Sequence, residues 1–177
     1  MDDDPQREVE VQEYLFEDDG RIPNNPNLPL LVYPGVLSEA QRQPSSCKGL
    51  LAENGWGGAW VDGVFSYHHY HSTSHEVLCV VSGEARIDFG GPEGVAVEAG
   101  AGDVVVIPAG VGHRNAGSSG GFRVIGAYPR GQENYDLRTG EDGERPEVLE
   151  NIRNVPLPEA DPLFGEDGPL LRQWSAG

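Results

Sequence analysis

The sequence predicts an all-β, single-domain protein on three observations. Short apolar runs of strand length recur through its middle. Glycine and proline are abundant, at 25 and 14 of 177 residues, and no long apolar stretch repeats with the 3.6-residue period of a helix. A chain of this length makes about one domain with a sizeable core of its own. Three regions are expected: an extended N-terminal arm over residues 1–45, a β-barrel over 46–130, and a C-terminal tail over 131–177 packed on the barrel.

The elements follow in order. In the arm, Gly20-Arg21-Ile22-Pro23-Asn24-Asn25-Pro26-Asn27-Leu28-Pro29 carries prolines and asparagines that forbid a regular helix. Ser46 to Asn54 predicts a short helix, with Ser46 as N-cap, Leu50 and Leu51 as its apolar face and Gly55 as its stop. Strands are predicted at Trp60–Tyr67, Val77–Val81, Ala85–Phe89, Val95–Glu98, Val104–Ile107 and Phe122–Tyr128. Ala85–Phe89 alternates polar and apolar residues and should be half exposed, whereas Val104–Ile107 is continuously apolar and should be buried on both faces. Gly90–Gly94 and Ala99–Asp103 are tight connections. Many short strands at regular spacing favour a closed or double-sheet architecture, which also protects strand edges. Beyond Gln132 the chain is polar and punctuated by proline to its end.

Composition narrows the function. Acidic residues number 29 against 12 basic ones, a formal charge of −17, and Lys48 is the only lysine. Such a chain repels phosphate backbones and anionic headgroups, so neither nucleic acid nor a membrane surface is an expected partner. The acidic residues are scattered through every third of the chain, which favours diffuse acidity over one concentrated anionic binding surface. No run approaches the ~20 apolar residues of a bilayer span, and the acidic opening Met1-Asp2-Asp3-Asp4-Pro5 is unlike a secretory leader, so a cytoplasmic location is expected. Cys47 and Cys79 are too few for a disulfide framework, and Cys79, inside an apolar run, reads as a buried thiol.

The histidines carry the chemistry. Four fall in Tyr67-His68-His69-Tyr70-His71-Ser72-Thr73-Ser74-His75-Glu76, and the fifth, His113, closes Pro108-Ala109-Gly110-Val111-Gly112-His113. In an extended segment His69 and His71 share one face, about 6.6 Å apart at ~3.3 Å per residue, while His68 and Tyr70 face the other way. The turn-prone Ser72-Thr73-Ser74 allows Glu76 to return toward the same pocket, and His113 arrives from a separate strand. Three neutral imidazoles and one carboxylate make a nitrogen/oxygen metal site fit for one divalent transition ion, Fe, Mn, Co, Ni, Cu or Zn. His68 and His75, of opposite parity, are expected to support the ligands rather than join them. Tyr67 and Tyr70 read as packing residues with a polar end; Trp56, Trp60, Phe65 and Phe122 as core or pocket lining. Arg114 and Arg123 are candidates for an anionic substrate group, with pairing to surface carboxylates the simpler alternative. No Ser-His-Asp or Cys-His arrangement can be built without taking the ligand histidines. Gly90-Gly91 and Gly120-Gly121 lack the strand-to-helix context of a phosphate loop.

These residues resemble the two motifs of the cupins. The first, G-x5-H-x-H-x3–4-E-x6-G, is matched by Gly63, His69, His71, Glu76 and Gly83; the second, G-x5-P-x-G-x2-H-x3-N, by Gly102, Pro108, Gly110 and His113. Gly117 stands where the asparagine is usual, and Asn115 lies two residues early, which bears on local loop geometry more than on metal binding. The arm Pro23–Leu30, the segment His69–Leu78, Pro108–Arg114, Gly126–Pro129 and Asp161–Gly165 with Gly168–Leu170 further resemble the YjlB-type single-domain cupins. The resemblance implies a jelly-roll β-barrel, with His69, His71, Glu76 and His113 as metal ligands and Glu76 able to swing away as a catalytic base. It also implies a possible homodimer through arm exchange. The function expected is a mononuclear metalloenzyme, dioxygenase-like, acting on a small organic molecule. Two alternatives remain open: an isomerase or decarboxylase with a redox-silent metal, and a small-molecule binding protein without turnover.

Overall fold

The computed structural model describes residues 9–175, so the acidic opening Met1–Pro5 lies outside the described residues. Nine strands are β1 (Gln12–Tyr14), β2 (Leu30–Tyr33), β3 (Trp56–Asp62), β4 (Glu76–Ser82), β5 (Glu84–Phe89), β6 (Val95–Gly100), β7 (Val104–Ile107), β8 (His113–Ser118) and β9 (Arg123–Pro129). Three helices, α1 (Pro44–Glu53), α2 (Glu147–Asn154) and α3 (Pro169–Gln173), accompany them, so the chain is mostly rather than wholly β. Every pairing is antiparallel. The larger sheet runs β1-β2-β7-β4-β9-β3 and the smaller β6-β5-β8.

The alternation of side chains along the central strands divides the core in two. Leu78 and Val80 of β4 with Val105 and Ile107 of β7 face Ala85, Ile87 and Phe89 of β5, filling the space between the sheets. Val77, Cys79, Val104 and Val106 point the other way, where Cys47 and Leu51 of α1 and Leu170 and Trp174 of the tail cover them. Val104–Ile107 is therefore buried on both faces, and β5 alternates, as their patterns predict. Cys47 and Cys79 are free thiols that meet in the outer core. The tail is fastened by Asp161, a buried carboxylate that accepts the Tyr33 hydroxyl at 2.7 Å and the backbone N–H groups of Leu163, Phe164 and Leu170.

The sequence expectation differs from the structure at several places, each with a cause. Helix α1 begins at Pro44, two residues before Ser46, because proline suits a first turn whose N–H groups have no partner. Its stop at Gly55, φ +81°, is as expected. The strand expected at Trp60–Tyr67 instead spans Trp56–Asp62; a register shift between Gly57 and Trp60 hides its beginning among glycines. Strand β8 was not expected, since His113–Ser118 is polar, yet as an edge strand it needs only one partner, β5. A bulge leaves Ala116 unpaired there, with Asn115 accepting the Gly117 N–H at 2.8 Å where the cupin pattern departs. Helices α2 and α3 were also unexpected; each buries few apolar residues, Val148 in one and Leu170 in the other.

The two sheets do not close into one hydrogen-bonded barrel among the described residues. At one end the gap is spanned by residues 63–75, which make single bridges, His69 to His113 and Tyr70 to Arg138, in place of a ladder. The reason is local. The N–H groups of Ser72 and Thr73 go to the Asp136 carboxylate and that of His75 to the Gln132 side chain, so these three are not available to a neighbouring strand. No described helix is long and apolar enough to cross a membrane.

Candidate metal centre

The site forms at this spanned end. Glu76 opens β4 opposite Ile107, with the parity of Leu78 and Val80, so it points between the sheets. His113 opens β8 opposite Phe89, and exchanges backbone hydrogen bonds with His69 at 2.9 and 3.2 Å. The turn before His113 is held by the arm. Gly110, φ +94°, leaves no room for a Cβ, which would stand 2.4 Å from the Asn24 carbonyl. Asn24 accepts the Gly112 N–H at 3.1 Å, Asn25 donates to the Ala109 carbonyl at 3.1 Å, and the Gly110 N–H donates to the His71 carbonyl at 2.8 Å.

His69, His71 and His113 are all buried, and one ligand atom of each lies within 4.8 Å of the others. Each ring has its Nδ1 against a main-chain carbonyl: Tyr67 at 3.0 Å for His69, Asp136 at 2.5 Å for His71, Val111 at 3.1 Å for His113. A carbonyl only accepts, so Nδ1 carries the proton and Nε2 keeps its lone pair for a metal. The Nε2 atoms of His71 and His113 stand 3.5 and 3.4 Å from Glu76 Oε1. Burial, then the neighbouring His113, hold the His69 pKa down to about 3, so that ring is neutral. For His71 burial acts downward but is outweighed by Glu76 and the Asp136 carbonyl, and the net direction is up. Burial would raise the pKa of Glu76; His71 and His113 overcome it and keep the group a carboxylate. The structure thus brings His69, His71 and His113 into one cluster and places Glu76 beside two of them, His71 and His113. The donor set fits a divalent transition ion, and the three histidines could hold one.

The match extends to known proteins. The cupin-domain profile matches residues 60–124, the segment that carries every one of these four residues. Over 167 residues the chain is 47% identical to the uncharacterized protein YjlB of Bacillus subtilis, covering 94% of this chain and 98% of that one. The chain is a YjlB-type cupin. Among solved structures it is similar to a DUF861 family protein from Thermotoga maritima, at 21% identity over 48% of this chain and 89% of that one, TM-score 0.34. It is also similar to the acireductone dioxygenase from Bacillus anthracis with a cadmium ion in its active centre, at 18% identity over 69% and 79%, TM-score 0.40.

This cupin adds groups that the sequence did not announce. Tyr128, on β9, donates its hydroxyl to Glu76 Oε2 at 2.8 Å and accepts the Trp60 indole N–H at 2.8 Å. Burial and then the charge of Glu76 raise the Tyr128 pKa, so the phenol stays protonated. Gly126 makes the arrangement possible: a Cβ there would stand 2.3 Å from the Trp60 ring. Tyr135 stacks on Tyr128 with centroids 4.3 Å apart and meets His71 edge-on at 4.9 Å. Asp136 accepts from the Ser72 N–H and hydroxyl at 2.7 and 2.5 Å, from both donors of Thr73 at 3.2 Å, and from Arg138 at 2.8 Å. These bonds fix the turn that follows His71 while the Asp136 carbonyl aims the ring itself. Trp60, Tyr128 and Tyr135, with Glu76 and the three histidines, border a cavity of about 340 Å³.

His68 faces away from the cavity, and its Nδ1 has no partner among the described residues. His75 is buried beside Trp174 and accepts the Ala109 N–H at Nδ1, 2.9 Å, bracing the turn that delivers His113. Burial, opposed weakly by the nearby Pro156 carbonyl, depresses its pKa to about 3; that carbonyl does not complete a hydrogen bond to Nε2. Arg114 pairs with Asp88 at 3.0 Å and Arg123 with the Phe122 carbonyl at 2.7 Å; neither lines the cavity. Tyr70 is buried and donates its hydroxyl to Glu144. Trp60 and Phe65 line the cavity, whereas Trp56 and Phe122 belong to the core.

Proposed function

We propose that this cupin is a mononuclear metalloenzyme acting on a small organic molecule, with oxygenase chemistry when the ion is iron. The two sheets are taken as the halves of a jelly roll, and His69, His71, His113 and Glu76 as the ligands of one divalent transition ion. The observation that carries the proposal is the trio of buried imidazoles, each tied at Nδ1 to a main-chain carbonyl, which leaves Nε2 as the atom each would offer a metal. When bound, the ion supplies Lewis acidity toward a substrate oxygen and, if it is iron, a site for dioxygen.

The protein's own groups have separate tasks. The carbonyls of Tyr67, Asp136 and Val111 orient the rings. Glu76 is the base that takes a substrate proton, and Tyr128, donating to Glu76 Oε2, steadies the carboxylate before that transfer. Trp60 holds Tyr128 in place, and the apolar wall beside them keeps bulk water from the reacting group. The Glu76–Tyr128 pair also favours a second reading, an isomerase or decarboxylase with a redox-silent ion, because such chemistry needs only a placed proton.

Metal analysis of the purified protein is the first test, with about one equivalent of transition metal expected. A His69→Ala/His71→Ala double variant that keeps a full equivalent would overturn the site. Oxygen uptake by iron-loaded protein over phenols, thiols and diketones then separates the two readings. Uptake supports the oxygenase, and substrate loss without uptake supports the alternative.

A further inference from the structure

Beyond the identity of its ligands, the cavity carries information about what fits it. Its lining contains no lysine or arginine. The charged side chains that do line it, Asp62 and Glu76, are both negative, and the three imidazoles are taken by the proposed metal. The arginines nearest in sequence to the site are engaged elsewhere: Arg114 on Asp88, Arg138 on Asp136 and Glu147. The rest of the wall is mostly apolar, with Val64, Phe65, Leu78 and Leu137 among its members, and its neutral polar groups include the Tyr128 hydroxyl, already given to Glu76, and that of Tyr135.

The mouth has the same character. Val61, Phe65, Tyr135 and Leu137 are exposed by 39, 52, 39 and 45%, and they are four of the nine large apolar side chains exposed among the described residues. Concentration of such groups at one opening marks a binding surface rather than scattered surface residues. Phe65 stacks with Tyr67 at 5.1 Å and Tyr135 with Tyr128 at 4.3 Å, so flat rings stand on both β3-side and tail-side segments. At about 340 Å³ the space lies near the lower end of the ~300–1,000 Å³ usual for small-molecule sites.

The charge balance completes the argument. A divalent ion held by three neutral imidazoles and the Glu76 carboxylate has one positive charge left over. One anionic oxygen of a ligand can be matched there; a second anionic group on the ligand body would meet Asp62, Glu76, apolar side chains and neutral tyrosine hydroxyls, with no cationic side chain to match it.

We infer that the substrate is a small, flat, apolar molecule with a single oxygen-donor head, of the phenol or catechol class, and that molecules bearing a further carboxylate or phosphate are rejected. The inference rests on the metal reading above.

The test uses zinc-loaded full-length protein without oxygen and two probes, 4-methylcatechol and 3,4-dihydroxybenzoate, which share the same oxygen donors and differ by one carboxylate. Calorimetric titration near neutral pH should show 4-methylcatechol binding roughly tenfold more tightly, or better. Leu137→Arg, at an exposed position on the rim, should narrow or reverse that preference; Val61→Arg is the second such variant should the first fold poorly. Equal or tighter binding of 3,4-dihydroxybenzoate to the wild type would overturn the inference, as would failure of both probes to bind protein carrying an equivalent of zinc. If no zinc is taken up, the metal reading has failed by itself. The apo protein titrated with 4-methylcatechol then decides the pocket separately: binding sustains an apolar ligand, and none overturns it.

Discussion

Asp136 offers the sharpest test of how the centre is held, because its side chain touches no proposed ligand while its carbonyl touches one. The carboxylate accepts five hydrogen bonds, from Ser72 (two), Thr73 (two) and Arg138. Hydrogen bonds to a charged group contribute about 1.5–3 kcal/mol each when water cannot replace them. Thr73 is exposed, so water replaces much of what its two bonds supply, and the Arg138 pair, partly exposed on both sides, contributes about 0–1 kcal/mol. That leaves the two bonds to the buried Ser72, about 3–6 kcal/mol before the partial exposure of the Asp136 carboxylate is discounted, and Asp136→Ala should cost about 2–4 kcal/mol of stability. The same change frees the backbone at residue 136, whose carbonyl aims His71, and metal affinity should fall about 10- to 100-fold. Zinc affinity measured by competition with a chelator, alongside thermal melting of the apo form, separates the two effects. A folded Asp136→Ala protein that binds zinc as tightly as wild type would refute the reasoning and show that the Tyr135 contact alone suffices to aim His71.

Four further outcomes are expected. His71→Ala should lose stoichiometric metal while far-ultraviolet circular dichroism stays that of a folded β protein, since the ring lines the cavity and belongs to neither apolar core. Gly126→Ala should push the Trp60 indole off Tyr128 and shift its fluorescence; an unchanged spectrum would show that the 2.3 Å clash is relieved elsewhere. The Arg145 guanidinium, which clips the arm to the tail, keeps the Asp18 carboxyl below its ordinary pKa range, so the stabilisation is present above that range and is lost as pH falls through the lower folded value. Asp18→Asn should therefore cost about 0.5 kcal/mol or less near neutral pH, the pair being a third exposed, and progressively less as pH falls through the lowered folded value. With a formal charge of −17, the apo melting temperature should climb as salt shortens the screening length from ~30 Å at 0.01 M to ~3 Å at 1 M. A flat or falling curve would show the carboxylates to be already paired or too dispersed.

The histidine and glutamate positions were legible because a candidate site built on one extended segment and one turn leaves fixed spacings in the chain. The central strands were legible for a similar reason: β4 and β7 are buried on both faces, and β5 alternates. What failed lay where tertiary contacts decide. The polar β8 is a strand because β5 offers it an edge, and α2 and α3, of eight and five residues, are too short for a helical period to show in the sequence. Tyr128 and Asp136 reach the site from 52 and 64 residues beyond their partners, Glu76 and Ser72, with no local pattern to announce them. Asn24 and Asn25 stood in a stretch that reads as a loop, yet they brace the turn before His113.

The deepest reason lies in which atoms orient the histidines. All three Nδ1 partners are main-chain carbonyls, of Tyr67, Asp136 and Val111, and every residue type owns a carbonyl. A side-chain partner such as a carboxylate would have marked the sequence; a carbonyl leaves no trace in it. What can be seen in the sequence is one step removed, in the residues that hold those carbonyls still. Val111 lies in the turn fixed by Asn24, Asn25 and Gly110, and Asp136 is tied by its own side chain to Ser72 and Thr73. Tyr67 is held by neither device; it stacks on Phe65 at the exposed rim of the cavity. His69 is thus the proposed ligand whose aim depends most on the rim, and a molecule settling against Phe65 would bear directly on the segment that orients it.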